Sequence, residues 1–429
     1  MRPTAKSKGV IQNGGAAFGM FLALTMVIAQ DTDDADPVVA PAIERSVAET
    51  TATVPLAQVT VPTTTAAPTT TGSPGYTTTT TTTTTLRPLD PVTFAALDRI
   101  DTIRDYTNFV THGPSRWRRD VPGIEELGLV STADGAEQPI FWLPPAEADH
   151  DRPLLVILHS WSSPYTQHAG IPFAQWAQEN GWAVVAPQFR GRNNDAESTG
   201  SALAVQDVAD AIDFAVAHEG VDEDRVFVVG YSGGGMMALL IAGQHPEKVS
   251  AVSAWGPPHD LIDFYSFART NGLGYWGDIS RACGGDPRPE GAVQDECIAR
   301  SPMTYMETIR EHGIPVFIGQ GNRDPYVMMN AGADVFNALA DPEDRLSEDD
   351  VETLRLGRVP GESDAAVTIE TYFEDRDPDP VFARESASVL MVYFSGGHDM
   401  VYGAAAAWFA TDPGNPTERQ SSLPWQNEG

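Results

Sequence analysis

The run Arg225-Val226-Phe227-Val228-Val229-Gly230-Tyr231-Ser232-Gly233-Gly234-Gly235 constrains the fold more than any other stretch of this chain. Its β-branched and aromatic half reads as a buried strand. The strand breaks at Gly230. After Ser232 and three glycines, residues 236–244 read as a helix. A serine lifted on so sharp a strand-to-helix turn sits in strained backbone with little room beside it. Gly230 and Gly234 remove the Cβ atoms that would clash there. The hydroxyl then points out at the carboxyl edge of a sheet, above a helix N-terminus whose N–H groups face any negative charge formed nearby. The alternative is a glycine-rich βα turn with an incidental serine. The flanking strand and helix favour a nucleophile on a Gly-x-Ser-x-Gly elbow.

Around this stretch the chain alternates strand and helix patterns. Residues 124–131 and 138–143 flank Asp134-Gly135, a hairpin signal. The continuous apolar run 154–158 suits a parallel strand covered on both faces. Further strands are expected at 182–186, 249–255, 314–319, 367–373 and 389–394. Helices are expected at 91–104, 173–180, 202–219, 301–311, 329–339 and 404–409, with Trp117, Arg118 and Arg119 in a loop. Residues 256–300 read as a long irregular loop, a cap or substrate wall. Its aromatic stretch 265–276 is either an acyl pocket or core packing. The alternation predicts an α/β fold with a mainly parallel twisted sheet and helices on both faces.

The first 90 residues cannot build a core. Arg2, Lys6 and Lys8 precede an apolar run at 16–29, with Val27 and Ala29 spaced for cleavage before Gln30. This predicts a signal peptide over 1–29. The alternative is an uncleaved anchor, although the run is short for a membrane span. Residues 30–90 are acidic, then rich in Thr, Pro and Ala, with unbroken threonine from 77 to 85. Such a segment has nothing to bury and is expected to be a disordered linker, a spacer near a cell surface or wall. The catalytic domain is expected over 91–410 and a polar tail over 411–429. Both N-terminal readings put the domain outside the cytoplasm, secreted or at the cell surface.

The net charge of −32, from 27 basic and 59 acidic residues, argues against nucleic acid and anionic membrane surfaces as partners. In an exported chain the two cysteines, Cys283 and Cys297, read as one disulfide. The nine histidines are scattered, and the acidic clusters at 341–350 and 374–379 read as exposed loops or helix faces. No metal-ligand spacing is present in the sequence, and no cofactor is expected.

An elbow serine needs a base and a group to orient it. In this fold the chain order is Ser, then Asp or Glu, then His. His398 is the one histidine beyond Ile314, and it sits in a Gly-Gly-His loop just after an expected strand. Asp324 lies in a Gly-x-x-Asp loop after the strand at 314–319. Its rivals are Asp334, in helical sequence, and Asp399, badly placed beside His398 itself. The expected catalytic set is therefore Ser232, Asp324 and His398. For the oxyanion hole the expected donors are the backbone N–H of Gly233 and that of Trp161, with Ser160 and Ser162 as close rivals. His159 is expected to brace its loop rather than react.

Several of these motifs resemble the catalytic domain of prolyl oligopeptidase-type serine peptidases. They are Ser131-Thr132-Ala133-Asp134-Gly135, Phe189-Arg190-Gly191, Gly230-Tyr231-Ser232-Gly233-Gly234, Arg300-Ser301-Pro302, Gly321-Asn322-Arg323-Asp324-Pro325-Tyr326-Val327 and Gly397-His398. The resemblance covers roughly 124–409. It implies an α/β-hydrolase fold, the same three residues as triad, and a peptide or small ester substrate. Many members of that family carry a β-propeller that limits substrate size. The segment ahead of this domain leaves no room for one, so an unfiltered site is expected. Two further features depart from the family pattern. The loop His159-Ser160-Trp161-Ser162-Ser163 replaces the commoner His-Gly-Gly-Pro type, and an acidic insertion at 341–364 lengthens the path from Asp324 to His398. Secreted carboxylesterases of the feruloyl and acetyl-xylan type share the elbow and the triad order, and form the second expectation. A non-catalytic surface binding protein is the third, and it normally requires a lost triad member.

Overall fold

The computed structural model describes residues 87–361, 372–373 and 377–415. The expected signal peptide, the linker up to residue 86, the strand expected at 367–373 apart from its last two residues, and the tail from 416 lie outside the described residues.

The apolar runs become strands of one sheet. They are β1 (Glu125–Val130), β2 (Glu137–Leu143), β3 (Arg152–Leu158), β4 (Ala183–Pro187), β5 (Val221–Tyr231), β6 (Ala251–Trp255), β7 (Val316–Gly321), β8 (Pro380–Ser386) and β9 (Val389–Phe394). Their order is β1-β2-β4-β3-β5-β6-β7-β9-β8. The central strands from β4 to β9 pair in parallel, and the antiparallel β1–β2 and β8 flank them. The serine-bearing strand β5 is thus interior, between β3 and β6. Its side chains alternate with the pleat. Val226 and Val228 enter one core with α4 (Ala202–Val216), α5 (Gly233–Gln244), α9 (Met306–Glu311) and α10 (Ala331–Leu339). Phe227, Val229 and Tyr231 enter the other, with α2 (Pro114–Asp120), α3 (Ile171–Glu179) and α12 (Tyr402–Phe409). Burial on both faces is why β3 to β7 read as near-continuous apolar runs.

Several expectations need correction. The helix expected at 91–104 is a 3₁₀ turn, Ala95–Leu97, followed by the separate short α1, Ile103–Tyr106. The reason is Thr102: its backbone is extended, it forms a capping box with Asp105, and it starts α1 afresh. Trp117 lies in a helix, α2, because Pro114 opens it and the indole is buried. The long loop 256–300 contains α6 (Leu261–Thr270), α7 (Tyr275–Cys283) and α8 (Ala292–Ala299), with Cys283 and Cys297 bonded between the last two. Residues 301–311 divide into a 3₁₀ turn, Pro302–Tyr305, and α9. Edge strand β8 had no counterpart in the sequence reading. Pairing on one side only tolerates its Pro380, Arg384 and Glu385. The acidic stretch near 350 forms α11, Glu348–Arg355. The packed unit also runs past residue 410: Asp412 and Asn415 are buried, and Arg225 Nη2 donates to Asp412 Oδ2 at 2.8 Å.

Candidate active site

The elbow forms as sterics demand. Ser232 adopts φ 56° and ψ −121° between β5 and α5, a region costly for any residue with a Cβ. Its N–H donates to Trp255 O at 2.7 Å, and its carbonyl accepts from Met236 N at 3.0 Å, so the neighbouring strand β6 and the helix α5 both pin the turn. A Cβ on Gly230 would lie 2.1 Å from Gly234 O, and one on Gly234 would lie 2.3 Å from Leu158 O. Both positions therefore exclude any other residue.

His398 follows β9 and is buried at the same sheet edge. Its Nδ1 is 2.6 Å from Asp324 Oδ2. The carboxylate follows β7 and is itself fixed: Oδ1 accepts from Tyr326 N (2.8 Å) and Val327 N (3.0 Å), and Oδ2 from Gln320 Nε2 (3.1 Å). A carboxylate so bound holds the imidazole with its proton on Nδ1 and leaves Nε2 bare as a base. The histidine loop rests against the elbow. The Tyr231 hydroxyl, one residue before Ser232, donates to His398 O at 3.0 Å, and the two rings lie 4.7 Å apart. Gly256, next to the residue that holds Ser232 N, faces the imidazole so closely that a Cβ there would sit 3.1 Å from His398 Nδ1 and Cε1. Ser232 Oγ makes no hydrogen bond among the described residues. Such contacts are often long without substrate and tighten when it binds.

The rival acids are engaged elsewhere. Asp334 Oδ2 lies 3.0 Å from His259 Nε2, and Asp399 faces Arg104 Nε at 2.8 Å. On the oxyanion side, the backbones of Gly233 and Trp161 touch: a Cβ on Gly233 would lie 2.6 Å from Trp161 N. The Gly233 N–H opens α5, where first-turn donors have no helical partner. The Trp161 N–H has no acceptor among the described residues. Ser160 N, by contrast, donates to Gln167 Oε1 at 2.8 Å, which removes that rival. The Trp161 indole is anchored by Asp278 Oδ2 at 3.0 Å. Burial pushes the Asp278 carboxyl up, and the indole and Arg281 oppose this. His159 braces its loop: it stacks on Phe189 at 3.8 Å, and Nδ1 donates to Ser160 O.

The aromatic stretch 265–276 divides. Phe264 and Tyr265 are core. Tyr275 is half-buried beside Trp161, and burial pushes its hydroxyl up. Tyr326 stands 5.7 Å from the His398 ring on the acid loop. Sequence reasoning missed Tyr231, Gln320, Tyr326 and Asp278. Only Tyr231 carried a usable signal, since period-2 alternation puts it on the face of Phe227 and Val229.

The model of the prolyl oligopeptidase family matches residues 173–362. The chain is 25% identical over 202 residues to dipeptidyl aminopeptidase BIII of Pseudoxanthomonas mexicana, covering 45% of this chain and 28% of that protein. It is 26% identical over 196 residues to the acylamino-acid-releasing enzyme of Mus musculus, covering 44% and 26% respectively. It is also 27% identical over 172 residues to the probable acetylxylan esterase A of Aspergillus fumigatus, covering 34% and 46%. The matched segment thus spans about a quarter of the two peptidases and under half of the esterase. Ser232 and Asp324 fall inside the family match, on a doubly covered parallel sheet of the α/β-hydrolase kind. Over residues 173–362 the chain is thus similar to the prolyl oligopeptidase family.

Proposed function

We propose that this chain is an exported serine hydrolase that cleaves peptide bonds through an acyl-enzyme, with Ser232 as nucleophile, His398 as general base and acid, and Asp324 as the orienting carboxylate. The observation that carries this reading is the 2.6 Å bond between His398 Nδ1 and Asp324 Oδ2, at the sheet edge where the strained Ser232 turn ends. His398 Nε2 takes the hydroxyl proton as Oγ attacks the carbonyl. Asp324 keeps the tautomer and stabilises the imidazolium. The N–H groups of Gly233 and Trp161 receive the oxyanion, each worth on the order of 10²–10³ in rate. His398 then protonates the leaving amine, and water clears the acyl group by the same steps in reverse. Export is supported by the apolar N-terminal run and by the Cys283–Cys297 disulfide, a bond that persists in oxidising compartments.

Peptide cleavage is favoured by the family of the domain and by the two peptidases among its relatives. Two observations favour a second reading, carboxylic ester hydrolysis on the same triad: the esterase among the relatives and the bulky Trp161 in the oxyanion loop. A fluorophosphonate probe should label the wild type and not Ser232→Ala. Asp324→Asn, which favours the wrong tautomer, should cost kcat about a thousandfold or more. Labelling that survives Ser232→Ala rejects the nucleophile. Acylaminoacyl-amide and aryl-ester substrates assayed side by side decide between peptide and ester.

A further inference from the structure

His398 is held from one side by Asp324 and from below by Tyr231, but its loop has a third support. Asp399, the next residue, is 6% exposed and turns its carboxylate away from the imidazole. Oδ1 accepts from Ile103 N at 3.1 Å and from Met400 N at 3.0 Å, and Oδ2 accepts from Arg104 Nε at 2.8 Å. Two backbone contacts run alongside: Thr102 bridges Val401 antiparallel, and Tyr402 N donates to Asp101 O at 3.0 Å. The Arg104 Nη2 also packs on Gly397, just before His398, where a Cβ would sit 3.1 Å away.

We propose that residues 101–104 form a strap across the base loop, and that Arg104 is a positioning residue for His398, acting through Asp399. This rests on the triad reading given above. An imidazole must be aimed to a fraction of an ångström, and displacement by about 1 Å can cost on the order of 10² in rate. Asp399 is covalently next to His398, so anything that moves its backbone moves the base. Arg104 is suited to this role rather than to fold stability. Its side chain is 63% exposed, and ion pairs that reach water contribute little to folding. Its partner, however, is a buried carboxylate that burial disfavours as an anion and that Arg104 supports. Without the guanidinium, Asp399 either takes a proton or turns to water, and the loop shifts with it.

The test compares wild type, Arg104→Met, Arg104→Lys, Ser232→Ala and His398→Ala, each as the whole chain. For Arg104→Met, kcat on an aryl ester should fall about 10- to 100-fold, with KM and thermal midpoint nearly unchanged. Arg104→Lys, which keeps a charge facing Asp399, should recover most of that loss. The proton NMR signal of the His398–Asp324 hydrogen bond, identified by its loss in His398→Ala, should shift or broaden in Arg104→Met and persist in Arg104→Lys. Wild-type kcat and an unmoved signal in Arg104→Met would overturn the strap. So would a kcat loss that lysine fails to restore. Retained labelling of Ser232→Ala by the fluorophosphonate would instead sink the nucleophile assignment, and the NMR signal would still judge the strap on its own.

Discussion

His159 and His398 follow parallel strands to the same edge of one sheet, and their surroundings separate their roles. His398 meets a carboxylate, whereas His159 meets a phenyl ring and a backbone carbonyl. Burial pushes His159 down from 6.5 to about 4, so it is neutral at physiological pH and cannot be charged without cost. A base with a lowered folded-state value contributes stability that is fully present above the unfolded value and is lost as pH falls. The window here runs from 6.5 down to about 4, and the loss amounts to about 3 kcal/mol. Carboxyls pushed up by burial, such as Asp399 and Asp278, act in the opposite sense below their raised values. A His159→Phe variant keeps the ring stack and isolates the histidine. Urea unfolding across this pH range should show the wild type losing stability relative to the variant, and parallel curves would refute the assignment. The base and acid proposed for the triad were read from the chain at this scale: one histidine follows residue 314, and the Gly-x-x-Asp stretch ending at Asp324 directly follows an expected strand. The partners of the triad were not legible. Arg104 lies 295 residues from Asp399, and no local pattern reports such a pair.

Among the elements, the cap was the least readable. α7 carries Asp278 and Arg281 on a polar face, and glycines surround the stretch, so its composition resembles a loop. What makes it a helix is tertiary. Ile279 and Cys283 enter the core, and the disulfide ties the end of α7 to α8 across a separation of 14 residues. Closing a loop of that size is worth about 3 kcal/mol through the unfolded state. α7 also presents Tyr275 beside Trp161 and holds the indole through Asp278. Replacing both cysteines by serine should therefore lower the thermal midpoint by several degrees and raise KM more than it lowers kcat. Calorimetry and steady-state kinetics on the same samples check this. A lowered midpoint with unchanged KM would mean that α7 is no part of the substrate wall. The elbow and strands β3 to β7 are the opposite case. Each is covered on both faces, so burial wrote an unbroken apolar run into the sequence.

At the scale of the whole molecule, a charge of −32 repels itself. Many of its Arg–carboxylate pairs reach solvent and contribute little, so the repulsion dominates the response to salt. Shortening the Debye length from about 10 Å to about 3 Å should stabilise the fold. The thermal midpoint should rise by a few degrees from low salt to molar sodium chloride, and a fall would show that local ion pairs outweigh the net charge. The alternation of strand and helix, the elbow glycines and the order Ser, Asp, His were determined by the sequence alone, because each follows from local sterics or from which residues can face a core. Two things were decided only by the tertiary structure: which N–H groups remain free beside Ser232 among the described residues, and that residues 101–104 reach the base loop. Each depends on how distant segments pack, and a hydrogen bond between residues far apart in the chain leaves no periodicity in either of them.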